Sequence, residues 1–170
     1  MLIGSLITGR YVFDVNNLET SQVIFATSPG FWEEVFYRGI IMFILMKWLK
    51  DLKKAIFVQS IVFGIAHVSA FDFWSIVDIF SIILLGLAFT YLAHKTNSLI
   101  PSMVFHYLHD AFIFLFQNPD GNYSGTAEHL AFYLSLWTMV GLGSLLVKYL
   151  TQKMDLSQDP PLYDFSKINM

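Results

Sequence analysis

Residues 22–49 read QVIFATSPGFWEEVFYRGIIMFILMKWL, an apolar run of helical length with two glutamates and an arginine in its middle. A surface helix would gather such charges on one wet face. Here aromatic and aliphatic residues surround them, so the stretch reads as a helix buried in protein or lipid. Ser28-Pro29-Gly30 predicts a kink or local break inside it. Outward from this stretch, polar punctuation separates four more apolar runs, at about 55–70, 73–93, 99–116 and 130–150. Pro101 is tolerated in the first turn of its run, where its missing N–H would be unpaired anyway.

The composition agrees with lipid as the solvent. Of 170 residues, 55% are hydrophobic, 17% aromatic and only 14% charged, and the mean hydropathy is +0.56. A net charge of -3, with ten Lys and Arg in no stripe, excludes a nucleic-acid surface. Without cysteine, thiolate catalysis, disulfides and cysteine-based zinc sites are excluded too. Residues 1–9 are apolar but lack a charged n-region, so no cleavable signal peptide is expected, and they are too few to span a bilayer core.

The expected fold is all-α, a polytopic transmembrane helical bundle of about five spans, with no internal repeat. Residues 1–20 form an N-terminal segment, read as the end of a helix whose start is missing. Residues 21–150 form the membrane domain, and 151–170 a polar tail with Pro160-Pro161. Residues 117–122, QNPDGN, carry strong turn chemistry. Charge placement supports the count: Lys47, Lys50, Lys53, Lys54, Lys95, Lys148, Lys153 and Lys167 all fall on one alternate set of loops. By the positive-inside rule the C-terminus is then cytoplasmic and the protein multi-pass.

Ionisable residues inside such runs are functional hypotheses by default. Glu33, Glu34 and Arg38 lie in the first run, His67 in the second, and His106, His109 and Asp110 in the fourth. At the helical rise, Glu33 and Glu34 come roughly 12 Å into the core, His67 roughly 18 Å and His106 roughly 10 Å, depths that overlap near mid-bilayer. Glu34 and Arg38 are i, i+4 and share a face, so the guanidinium holds one carboxylate ionised. Glu33 points about 100° away and is free to meet another helix as a general base. His106 and Asp110 are also i, i+4, a spacing at which the carboxylate orients the imidazole. Taken singly, Glu34–Arg38 would serve as an intrahelical ion pair and His67 as a hydrogen-bonded core residue. His109 is read as structural, Asp72, Asp78, His94 and His129 as solvated, and Gly39, Gly64 and Gly86 as sites of close helix approach.

The segment Glu33-Glu34-Val35-Phe36-Tyr37-Arg38 fits EExxxR, Phe63-Gly64-Ile65-Ala66-His67 fits FxxxH, and His106-Tyr107-Leu108-His109-Asp110 fits Hxxx followed by Asn or Asp. This ordered trio, over about 28–114, resembles the CPBP intramembrane proteases, which include type II CAAX prenyl endopeptidases and bacteriocin-processing or self-immunity proteins. The resemblance implies an endopeptidase in which Glu33 activates water, with Glu34 and Arg38 in support. His67 would position the water or a metal, and His106 with Asp110 would stabilise the oxyanion. Because an ionised Asp110 repels an oxyanion, it is read as orienting His106. A divalent ion such as zinc would find its ligands in His67, His106 and Glu33. The implied partners are a lipid bilayer and a peptide or protein substrate, prenylated in the family's eukaryotic members. The rival readings are a non-catalytic membrane binding or bacteriocin immunity protein and, against the missing repeat, a proton-coupled transporter fragment.

Overall fold

Short polar residues set the helix ends. Asp51 accepts the Lys54 N–H at 3.1 Å and Asp72 the Ser75 N–H at 3.0 Å, satisfying donors that a helix start leaves unpaired. These backbone bonds are the main reason both carboxyls are held below the usual carboxylate range. Lys50 and Asn97 end the helices before them in the left-handed conformation, at φ 52° and 50°, and their N–H groups close on Met46 O and Ala93 O.

The computed structural model describes residues 20–68, 72–115, 126–152 and 162–163. Every regular element among them is helical. Helix α1 (Thr20–Glu33) runs directly into a π-helical segment, π1 (Glu34–Ile41), and on into α2 (Met42–Leu49). There follow α3 (Leu52–Ile65), α4 (Phe73–Thr96), α5 (Ile100–Leu115) and α6 (Thr126–Thr151). Residues 1–19, the 117–122 turn and most of the expected tail lie outside the described residues.

Two local expectations change. The helix passes through Pro29 without a break, and the irregular hydrogen bonding falls at π1, beginning at Glu34. Packing at the next residue accounts for this: a Cβ on Gly30 would stand 3.0 Å from Tyr107 N and 3.3 Å from Met103 O, so α1 lies backbone to backbone against α5. The second change concerns α3, which ends at Ile65 and leaves His67 in the turn beyond it, with its N–H on Gly64 O at 3.1 Å.

Helix α4 is the hub and packs against α3, α5 and α6. A Cβ on Gly64 would run into Ile83 Cγ1, and one on Gly86 would meet Ser60 Cα at 3.2 Å, so α3 and α4 approach closely as expected. Gly39 is different: its nearest neighbour, Leu99 Cδ1, stands at an ordinary 3.8 Å. The burial pattern differs from that of a water-soluble core: polar side chains share the interior with Met42, Ala55 and Phe89, and many large apolar ones face outward. Arg38, Glu34, Gln59, Ser60, Thr90 and Ser102 are fully buried, whereas Trp48, Phe73 and Trp32 are 84%, 68% and 65% exposed. Apolar side chains turned outward and polar ones inward are the arrangement lipid selects. Among the described residues α4 is the helix long and apolar enough to cross a membrane. At 14 and 16 residues, α3 and α5 are shorter than the about 20 a perpendicular span needs.

Part of the expected polar tail folds inward. Tyr163 packs with Met42 and Ala55, flanked by Leu162, Leu45 and Ile56. The Leu162 N–H donates to Asn97 Oδ1 at 3.3 Å and the Tyr163 hydroxyl to Arg38 O at 3.0 Å. Burial keeps this phenol above its usual range.

Candidate active site

Adjacent positions on a helix diverge in direction, and π1 begins where this separates two carboxylates. Glu34 turns inward and has no exposed surface. Its Oε1 lies 3.0 Å from Arg38 Nη1, one turn on, and 2.8 Å from His106 Nδ1 on α5, while its Oε2 accepts the hydroxyl of Ser102. Arg38 is equally buried, sandwiched with its guanidinium carbon 4.2 Å from the Phe63 ring centroid and 5.2 Å from that of Phe89. Its Nη2 donates to Gly86 O at 3.4 Å. Cation–π contact on both flanks and a carboxylate in front compensate a charge that would be costly to bury alone.

Glu33 turns the other way and stays 28% exposed. Its Oε2 is buried without a hydrogen-bond partner, yet His67 Nε2 stands 3.5 Å from it and His106 Nε2 3.9 Å. Both separations exceed a direct hydrogen bond and have the scale of a contact bridged through a third group. The imidazole orientations are determined. His67 Nδ1 lies 2.7 Å from Phe63 O, an acceptor only, so Nδ1 carries the proton and Nε2 faces Glu33. The Glu34 carboxylate fixes His106 in the same way, with Phe89 stacked on its ring at 4.7 Å.

The six residues singled out by the motifs, Glu33, Glu34, Arg38, His67, His106 and Asp110, thus meet in one cluster. The bond that orients His106 comes from Glu34, while Asp110 Oδ2 stands 3.6 Å from His106 Nε2, too far for a hydrogen bond. Asp110 pairs instead with His109 Nδ1 at 3.0 Å, so His109 is part of the cluster's edge. Sequence reasoning missed Ser102, although its place one turn before His106 was a readable signal. It also missed Phe89, for which an apolar run gives no signal.

Two of the four residues set aside as solvated, Asp78 and His129, join a separate network on the α4–α6 face. Tyr133 donates to Asp78, Trp137 Nε1 to Ser81 Oγ at 2.9 Å, and Trp74 stacks on His129 at 4.1 Å. Beside it lies an apolar groove of about 650 Å³, lined by residues that include Leu84, Ala88, Tyr91, Val140, Gly141 and Lys148. As for a metal, among the described residues no three His, Asp or Glu side chains are arranged to hold an ion.

The family model described as Type II CAAX prenyl endopeptidase Rce1-like matches residues 19–112. The chain belongs to this family. No curated protein and no solved structure matches it. The matched stretch of this Rce1-like protein takes in α1 through most of α5, and with them every residue of the cluster. Rce1-like proteins are protease-type and membrane-integral, in keeping with the outward apolar surface and the long apolar α4.

Proposed function

We propose that this Rce1-like chain is an intramembrane endopeptidase in which Glu33 is the general base towards water. The observation that carries the reading is the convergence of two imidazole Nε2 atoms on the unpartnered Glu33 Oε2, while Glu34 beside it is filled by donors. Glu33 takes a proton from a water held in this gap, the water oxygen attacks the scissile carbonyl, and the proton passes to the leaving amine. Since each imidazole already uses its Nδ1–H, its Nε2 accepts from the water when the ring is neutral and donates to the oxyanion when it is charged. Glu34 and Arg38 act by holding His106, and Asp110 bounds the site.

The substrate is a peptide, and the family's description points to a prenylated C-terminal one. An isoprenoid chain needs apolar surface, which the α4–α6 groove offers. A bundle of about five spans with a cytoplasmic C-terminus, the arrangement that the lysine-bearing loops favour, would hold the site below the membrane surface. A divalent ion such as zinc would have to draw on His67, His106 and Glu33.

The test is Glu33→Gln in proteoliposomes with a prenylated peptide. Cleavage falls by about 10²- to 10⁴-fold, the range of general-base catalysis, with the unfolding midpoint unchanged. A fully active variant removes Glu33 as base. A variant that no longer cleaves but still protects cells from a bacteriocin would favour the binding or immunity reading. Loss of wild-type cleavage on chelation, restored by zinc, would bring an ion into the site.

A further inference from the structure

A hydroxyl in an apolar helix usually satisfies itself at home, by donating to the carbonyl one turn back. Ser60 does so to Ile56 O at 2.8 Å, Ser81 to Val77 O at 2.8 Å, Thr96 to Leu92 O at 2.8 Å and Thr138 to Leu134 O at 2.6 Å. Thr90 reaches Gly86 O at 2.8 Å as well as Gln59. Ser102 departs from this habit. With no exposed surface, it sends its hydroxyl from α5 across to Glu34 Oε2. A hydroxyl has one proton and a carboxylate only accepts, so the direction of this bond is fixed.

Ser102 and His106 are one turn apart on α5 and grip different oxygens of the same carboxylate, Oε2 and Oε1. Arg38 already neutralises the charge. The hydroxyl therefore adds direction: a carboxylate held at both oxygens cannot rotate about its last bond. We propose that Ser102 is a positioning residue of the hydrolytic site, locking the Glu34 carboxylate so that Oε1 keeps the proton on His106 Nδ1 and turns Nε2 towards Glu33. The catalytic part of this inference rests on Glu33 being the base. The grip itself does not.

The experiment uses the full chain in detergent micelles, with the prenylated peptide as substrate. Ser102→Ala lowers kcat by about 10- to 100-fold, the usual cost of losing an orienting partner, while KM stays within about twofold. Ser102→Thr, which keeps the hydroxyl, restores most of the rate. Independently of turnover, ¹⁵N-histidine NMR finds His106 protonated at Nδ1 in the wild-type chain and divided between tautomers in Ser102→Ala. The proposal is overturned by wild-type kcat in Ser102→Ala, by an unchanged His106 tautomer, or by a rate loss matched by a fallen unfolding midpoint. If Glu33→Gln proves active, the base assignment fails, and the NMR result still decides whether Ser102 orients His106 through Glu34.

Discussion

Glu34 has no exposed surface and is contacted by Arg38, Ser102 and His106, whereas Glu33, one residue earlier, is 28% exposed with its nearest imidazole nitrogens at 3.5 and 3.9 Å. The two share a residue type and one continuous helical run. They differ in how many donors each has, and in the proposed mechanism that difference divides the labour. A carboxylate filled with donors is a fixed anion that orients its neighbours, and one with a vacant oxygen can still take a proton.

The largest break in this contrast comes from emptying the sealed side. Arg38→Ala leaves Glu34 buried with its counter-charge gone and costs about 3 to 5 kcal/mol, the range for breaking a buried pair, read by denaturant unfolding in detergent. Glu33→Gln, on the open side, is isosteric at an oxygen that holds no hydrogen bond, and leaves that stability within about 0.5 kcal/mol. Equal losses in the two variants would end the distinction. Next comes Gly30→Ala, whose new methyl would press on Tyr107 N at 3.0 Å and push α5, with Ser102 and His106, away from π1. Overpacking of this kind costs about 1 to 3 kcal/mol, and cleavage should fall with it.

A milder probe lies outside the cluster. A Cβ on Gly141 meets nothing within 4 Å, so Gly141→Trp folds normally and fills the groove. It should raise KM for a prenylated peptide several-fold, on the order of one or two lost apolar contacts, and leave an unprenylated peptide unaffected. Equal effects on both peptides would remove the groove from substrate binding. The smallest effects belong to the caps. The lowered Asp51 and Asp72 carboxyls contribute stability above the ordinary carboxylate range, and it is lost as pH falls through their depressed values. Asp51→Ala and Asp72→Ala therefore unfold slightly earlier at neutral pH, and their midpoints converge with wild type in acid.

The cluster was legible because helical spacing fixes faces before any tertiary structure is known: Glu34–Arg38 and the divergence of Glu33 follow from the 3.6-residue period. The family match rests on the same stretch, over 19–112. Other features depended on partners far away in sequence. Ser28-Pro29-Gly30 was read as a kink or local break, and no break occurs: the helix continues through Pro29, with Gly30 packed against α5. His67 was placed inside a helix that ends at Ile65, because an apolar run does not mark its own last turn. The bond from Tyr163 to Arg38 O spans 125 residues, and no local pattern announces it.

That bond also fixes a sequence of events. Synthesis proceeds in one direction, so Arg38, on the helical run bearing both glutamates, is made 125 residues before the phenol that secures its rear carbonyl exists. Closing so long a loop is entropically late as well as chronologically late. A nascent chain therefore carries its acids and imidazoles through insertion with that rear carbonyl still lacking its tyrosine clasp, and the pocket's final support arrives only when the distant end folds home.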